Sequence, residues 1–130
     1  MRRRLTVLMV LLAAFAAWAP SPARANPSFL VFFHEWSAEL DPAALDVVAA
    51  AANAARQNPS MRIDVVGFAS TEGSQRANLY LSLLRAQLVS DRLEAAGIAP
   101  ARISRVGEGS VSSVGSMQEA RRVEIVLRAP

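Results

Sequence analysis

The residues of this chain that are best suited to binding chemistry are three polar side chains on one stripe of a predicted helix. They are Asn78, Ser82 and Arg85, and at about 100° per residue they fall within roughly 60° of one another around the helix axis. The helix follows a turn rich in glycine and serine over 67–74, which itself follows a predicted strand. A guanidinium can hold a carboxylate through two parallel hydrogen bonds, so this arrangement favours a carboxylate-binding site.

Each candidate side chain also has a purely structural alternative. Arg85 could instead be a solvated helix residue that pairs with Glu72 or Asp91. Asn78 could cap the turn, because asparagine often bonds to nearby backbone groups. The residue types and their spacing alone therefore leave binding and structural roles open for both residues.

The spacing of these residues extends into a longer pattern over 67–86. This pattern resembles the OmpA/MotB C-terminal-like domain, the peptidoglycan-associating module of Gram-negative envelopes, which has Gly-His-Thr-Asp, two variable residues, Gly-Ser and then Asn-x-x-Leu-Ser-x-x-Arg-Ala. Phe68, Ala69 and Ser70 replace the His, Thr and Asp of that pattern. The positions that match at the same spacing are Gly67, Gly73, Ser74, Asn78, Leu81, Ser82, Arg85 and Ala86.

The resemblance implies a ligand and a set of residues that would hold it. In the family, the Asp and the later Arg together hold the zwitterionic end of diaminopimelate in the peptidoglycan stem peptide. This chain keeps the arginine and has a serine in place of the Asp, so binding of the stem peptide is expected to be weak or lost. Glu72 could replace the missing charge from two positions away. The ligand-binding residues expected from the resemblance are Ser70, Thr71, Asn78, Arg85 and Arg122.

Three of those five residues lie in segments that allow more than one interpretation. Ser70 and Thr71 could donate to a ligand or simply close the turn between strand and helix. Arg122 belongs to a segment over 121–125 that resembles the closing Asn-Arg-Arg-Val-Glu-Ile of the family, with Ala120 in place of the Asn. Arg121 and Arg122 should point to opposite faces of a strand. We expect Arg122 to join Arg85 in holding an anion.

The first 25 residues have the pattern of a cleaved secretory signal peptide. Arg2–Arg4 form a charged region, 5–18 is an apolar run, and Ala23-Arg24-Ala25 is a cleavage signal. The run is shorter than the ~20 residues of a membrane-spanning helix, although an uncleaved membrane anchor is the alternative. The prediction is therefore a signal peptide over 1–25 and a single OmpA-like domain over 26–130, located in the periplasm and associated with the outer membrane or cell wall.

The composition and charge of the chain argue against several classes of partner and site. Most of the excess positive charge belongs to the predicted leader, so no nucleic-acid partner is expected. The chain has no cysteine, which predicts no lipid anchor of the bacterial lipoprotein type and no thiol chemistry. His34 is the single histidine and is expected to be a surface residue, so neither a metal site nor a catalytic set can be assembled. No cofactor and no enzyme activity are expected, and the sequence leaves the oligomeric state open.

Apolar periodicity predicts the order β-α-β-α-β-β. Helices are expected over about 42–56, with Asp41 as N-cap and Pro42 at its first position, and over about 75–96. Strands are expected over 29–33, 61–68, 102–106 and 122–127, and a loop over 108–118. Right-handed crossovers then give an α/β two-layer sandwich, with two helices packed on one face of a mixed sheet and the first two strands as parallel neighbours or near neighbours. Leu83 and Leu84 are expected to contact the sheet.

Two functions fit these observations. The first is a periplasmic OmpA-like domain that associates noncovalently with peptidoglycan or with an envelope protein, with Ser70 in place of the usual ligand-binding Asp. The alternative is a degenerate OmpA-like module that acts as a protein-interaction scaffold and does not bind peptidoglycan. The loss of the Asp favours the second, whereas Arg85 together with Asn78 favours the first.

Overall fold

The fold consists of a four-stranded sheet with its larger helices on one side. The computed structural model describes residues 26–111 and 117–130, so the predicted signal peptide lies outside the described residues, as does part of the predicted loop over 108–118. The elements are β1 Ser28–Phe32, α1 Pro42–Gln57, β2 Arg62–Ala69, α2 Gln75–Ala95, β3 Ile103–Ser110, α3 Met117–Ala120 and β4 Arg122–Arg128. The predicted order is confirmed, and the short α3 is an addition to it.

The last strand of the chain lies in the interior of the sheet. The strand order is β1-β4-β2-β3, with β4 antiparallel to both β1 and β2, and β2 parallel to β3. The sheet is therefore mixed, as predicted. β1 and β2 run in the same direction as near neighbours, because β4 separates them.

Alternation along the strands places the core between the sheet and the helices. Every second residue of β2 and of β4 is buried, and these residues form one core with buried residues of α1 and α2. The fully buried large members are Val31, Ile63, Val65, Val89, Leu93, Val123, Ile125 and Leu127. None of the helices in the described part of the chain has the length and apolar character needed to cross a membrane.

Both long helices begin where the sequence places a capping side chain. Asp41 Oδ1 accepts a hydrogen bond of 2.8 Å from the backbone N–H of Ala44, and Pro42 opens α1. Ser74 Oγ accepts a hydrogen bond of 3.0 Å from Ala77 N–H at the start of α2. Since these interactions are local, they fix both helix starts independently of the rest of the fold.

β3 is longer than predicted, because two glycines belong to the strand and not to a loop. The strand reaches Ser110, and a single 3-10 turn over 100–102 precedes it. A Cβ atom on Gly107 would lie 2.6 Å from the backbone nitrogen of Leu83, so glycine is required for the strand to pass against α2. The predicted loop therefore contains the end of β3 and the start of α3.

The buried side of α2 is also different from the expected one. Leu83 and Leu84 are 47% and 37% exposed, so the prediction that they contact the core is wrong. The residues that face the sheet are instead small or polar at the start of the helix and apolar only near its end. They are Asn78, Ser82, Arg85, Ala86, Val89, Ser90 and Leu93.

Candidate functional site

Arg85 is the centre of the candidate site, and it is completely buried. Its guanidinium donates to three backbone carbonyls, with Nε 2.8 Å from the oxygen of Ser37, Nη1 3.1 Å from that of Phe68 and Nη2 3.1 Å from that of His34. The alternative of a solvated helix arginine is therefore wrong. Arg85 joins the segment after β1 to the end of β2.

The contacts of the Arg85 guanidinium are with neutral groups. Its guanidinium also lies over the ring of Phe33, with Cζ 5.1 Å from the ring centroid. Burial, and secondly the nearby charge of Arg121, lower the pKa of Arg85 from its ordinary value to about 10. A carboxylate in contact with the guanidinium would have the opposite effect and raise the pKa. The site is therefore a buried cation that an anion would stabilise.

Arg121, and not Arg122, is the arginine next to this cation. Arg121 Nε donates to the carbonyl of Phe33 at 3.1 Å, and the ring of the same residue lies against Arg85. Sequence reasoning did not select Arg121 because nothing in the segment distinguishes two consecutive arginines. Its position just before β4 turns it towards the segment that follows β1.

Arg122 belongs to the opposite face of the sheet, so the prediction that it joins Arg85 is wrong. Its neighbour Val123 is fully buried against the helices, and alternation along β4 directs Arg122 the other way. There Cζ of Arg122 lies 4.1 Å from the ring centroid of Phe68, and Nε is 3.0 Å from Oε1 of Glu124. Phe68, the residue that replaces the His of the family pattern, thus has a packing partner on the open face.

Ser70 and Thr71 are in the turn that follows β2. Ser70 is 8% exposed, and its Oγ accepts a hydrogen bond of 3.3 Å from the N–H of Glu72, which is the turn-closing role considered from sequence. The side chains of Thr71 and Glu72 are exposed. At the position of the family's Asp, this chain therefore carries a short hydroxyl bonded to its own turn.

Asn78 and Ser82 connect α2 to the turn and to β3. Asn78 is 1% exposed and donates from Nδ2 to the carbonyl of Glu72 at 2.7 Å and to Oγ of Ser110 at 3.0 Å. Its Oδ1 is buried and has no hydrogen-bond partner among the described residues. Ser82 Oγ accepts from Gly109 N–H at 2.8 Å. Both residues of the matched pattern thus have definite structural roles.

Two residues after β1 complete the surroundings. Trp36 covers the turn: a Cβ on Gly73 would lie 2.6 Å from a carbon of its ring. His34 is on the surface, as predicted, and its Nε2 lies 3.4 Å from Oδ2 of Asp41. Within residues 26–111 and 117–130 there is no group of histidine, aspartate and glutamate side chains that could hold a metal ion.

Comparison with known proteins assigns the chain to a family. The model of the OmpA family matches residues 32–124. Peptidoglycan-binding protein ArfA of Mycobacterium tuberculosis is 34% identical over 103 residues, which cover 75% of this chain and 32% of ArfA. The chain thus spans about a third of the length of that relative.

Solved structures agree with the fold. The peptidoglycan-associated lipoprotein from Burkholderia pseudomallei is 22% identical with a TM-score of 0.70, and the alignment covers 77% of this chain and 90% of that one. The OmpA-like domain of FopA1 from Francisella tularensis is 24% identical with a TM-score of 0.72, covering 81% and 73%. The match over 32–124 shows that the chain belongs to the OmpA family.

Proposed function

We propose that this chain is a periplasmic OmpA-like domain that associates noncovalently with the peptidoglycan stem peptide. Family membership and the name of the relative ArfA support this class of ligand. Residues 1–25 would be removed on export. An intact mass that corresponds to a chain starting at Asn26 would support this processing, whereas recovery of the full-length chain in the inner membrane would contradict it.

The observation that carries the proposal is that the buried Arg85 guanidinium donates to neutral backbone carbonyls, with a second arginine nearby. Arg85 is a buried guanidinium with a lowered pKa, and Arg121 is close to it. Contact with a ligand carboxylate would therefore stabilise its charge strongly. The carboxylate end of diaminopimelate has the required charge. In this proposal Arg121, and not Arg122 as expected from the sequence, joins Arg85 in holding the anion.

Binding is expected to be weak, for two reasons. The carbonyls of His34, Phe68 and Ser37 already accept from Arg85, so a carboxylate can contact the guanidinium only if the segment after β1 moves. In addition, Ser70 offers no negative charge to the ligand ammonium. A hydrogen bond to a charged group is worth about 1.5–3 kcal/mol, so the missing Asp weakens binding by roughly one to two powers of ten.

A pair of nearly isosteric substitutions at Ser70 tests the proposal. Ser70→Asp restores the charge, and Ser70→Asn introduces the same shape without it. We expect Ser70→Asp to increase sedimentation of the protein with purified sacculi, and its affinity for a diaminopimelate-containing muropeptide in titration calorimetry. Ser70→Asn should not differ from wild type. Equal gains from both variants, or from neither, would argue against a charge-dependent stem-peptide site at this turn.

The site is closed to solvent, and this favours a second function. Arg85 has no exposed surface, and Trp36 covers the turn at Gly73. The domain could therefore act as a scaffold that binds an envelope protein and not peptidoglycan. Absence of sacculus binding in wild type and in Ser70→Asp alike, with both proteins folded, would select this alternative.

A further inference from the structure

The turn between β1 and α1 contains a strained residue. Ser37 N–H donates to the carbonyl of His34 at 3.2 Å, which closes a four-residue turn with Trp36 in its third position. Trp36 has a φ of 51°, and among the described residues it is the one residue other than glycine with a positive φ. A bulky side chain is rarely found in this left-handed region, because its Cβ crowds the backbone. Contacts outside the turn must therefore hold Trp36 in this conformation.

The first of these contacts is with Arg85. The carbonyls at the two ends of the turn, those of His34 and Ser37, accept hydrogen bonds of 3.1 and 2.8 Å from Nη2 and Nε of Arg85. Residues 34–36 are all exposed, so packing does little to restrain the middle of the turn. The guanidinium from α2 thus fixes both ends of the turn.

The second contact is between the ring of Trp36 and Gly73. A Cβ on Gly73 would lie 2.6 and 3.1 Å from two carbons of the ring, so the ring rests directly on the glycine backbone. Gly73 belongs to the turn that follows β2, just before the Ser74 cap of α2. The indole still leaves Trp36 53% exposed. It therefore connects the turn after β1 to the turn after β2 and remains accessible from outside.

We infer that residues 34–37 form a latch, which closes the Arg85 site in the free protein and opens when an anion replaces its carbonyls on the guanidinium. This inference rests on the proposed function, because it concerns access to the same site. Nε and Nη2 are neighbouring donors on one edge of the guanidinium, the kind of pair that a carboxylate binds through two parallel hydrogen bonds. The latch occupies both of them, whereas Nη1 donates to Phe68 and is not involved.

The strain at Trp36 and its contact with Gly73 act in opposite directions on this latch. The contact favours the closed form, whereas the left-handed backbone disfavours it, because opening the turn releases the strain. The apparent affinity of a ligand is reduced by the fraction of molecules that are closed. The latch is therefore a second cause of weak binding, separate from the serine at position 70.

Chemical modification of arginine measures opening without a ligand. Phenylglyoxal reacts with accessible guanidines, and peptide mass mapping of the whole chain gives the rate at each arginine. Trp36→Ala removes the ring and keeps the strained backbone, so Arg85 should react about tenfold faster than in wild type, or more. Trp36→Gly also removes the ring but relieves the strain. Its Arg85 should therefore react about fivefold more slowly than that of Trp36→Ala.

Arg102 is the internal control for these rates. It also donates to several backbone carbonyls, but around the C-terminal end of α1 and not at the latch. Its rate should be the same in wild type and in both variants. Three results would overturn the latch: an unchanged rate at Arg85 in Trp36→Ala, a parallel rise at Arg102, or a rate in Trp36→Gly that equals or exceeds the rate in Trp36→Ala.

A diaminopimelate-containing muropeptide separates this inference from the proposed function. It should slow the modification of Arg85, and titration calorimetry should show about fivefold tighter binding to Trp36→Ala than to Trp36→Gly. If the rates at Arg85 differ as expected but the muropeptide neither protects nor binds, the latch is supported and the stem peptide is not the ligand. Protection with equal rates in all three proteins would support the ligand and overturn the latch.

Discussion

The carbonyl oxygen of Ser82 on α2 lies in the space that a Cβ atom on Gly67 of β2 would occupy. Gly107 of β3 approaches the same turn of the helix, and a Cβ there would be 2.8 Å from Cα of Leu83. The helix backbone therefore rests directly on two strands. This close contact explains why the buried side of α2 near Ser82 has small and polar residues in place of leucines.

Replacing Gly67 by alanine should destabilise the fold strongly. The new methyl group would meet helix backbone, which cannot move aside like a flexible side chain, and overpacking of this kind costs about 3 kcal/mol or more. Gly97→Ala is the comparison, since Gly97 has a φ of 97° and no atom within 4 Å of an added Cβ. Its cost should be only the conformational one of about 1–2 kcal/mol. Urea denaturation measures both, and equal losses would contradict the proposed contact.

Two buried serines on α2 should differ in their contribution to stability. Ser82 Oγ accepts from Gly109 N–H in β3, whereas Ser90 Oγ donates to Ala86 O within the same helix. Ser82→Ala leaves a buried N–H without its partner, which costs about 1–3 kcal/mol. Ser90→Ala should cost less than about 1 kcal/mol, because the carbonyl of Ala86 remains in the helical hydrogen-bonding pattern. Similar losses in the two variants would mean that the bond to Gly109 is not significant.

The apolar residues of α2 should divide into two groups on truncation. Leu93 is fully buried, and Leu93→Ala should lower the free energy of unfolding by about 2–5 kcal/mol. Leu83→Ala, on the 47% exposed side, should change it by less than about 1 kcal/mol. Chemical denaturation at one protein concentration compares them. A large loss at Leu83 would restore the sequence-based expectation that this side chain faces the core.

Stability should rise with pH in the alkaline range. Burial lowers the pKa of Arg85 in the folded state to about 10, below its ordinary value, so between these two values the unfolded state keeps a proton that the folded state releases. The free energy of unfolding then increases with pH, by about 1 kcal/mol between pH 9 and pH 11. The sequence contains no lysine, and Tyr80→Phe removes the one tyrosine, so urea midpoints in that background isolate the arginine. A lower midpoint at pH 11 than at pH 9 would contradict the lowered pKa of Arg85.

Local signals in the sequence were sufficient for the order and the starts of the main elements. Asp41, Pro42 and Ser74 act within one helical turn, so their effect does not depend on which segments later pack together. The resemblance of the pattern over 67–86 to the OmpA-like family then predicted the fold. The end of β3 was missed, since Gly107 and Gly109 indicate a loop until the close approach of α2 is known.

The candidate site was predicted less completely than the fold. Sequence spacing placed Asn78, Ser82 and Arg85 on one stripe, and the structure buries all three. What spacing could not supply was the identity of their partners. The acceptors of Arg85 are backbone carbonyls of distant segments, and the choice between Arg121 and Arg122 depends on where β4 begins. Both are properties of the assembled chain.

The position of β4 has a consequence for how this protein folds. β1 pairs only with β4, at a separation of nearly a hundred residues, and β2 has β4 on one of its two sides. When the chain is synthesised from its N-terminus onward, the sheet cannot be completed until β4 is present. Formation of the core must therefore wait for these long-range pairings, which are slow because the intervening chain has to be closed into a loop first. Until then the apolar strands remain accessible, and the chain stays in a state that chaperones can engage.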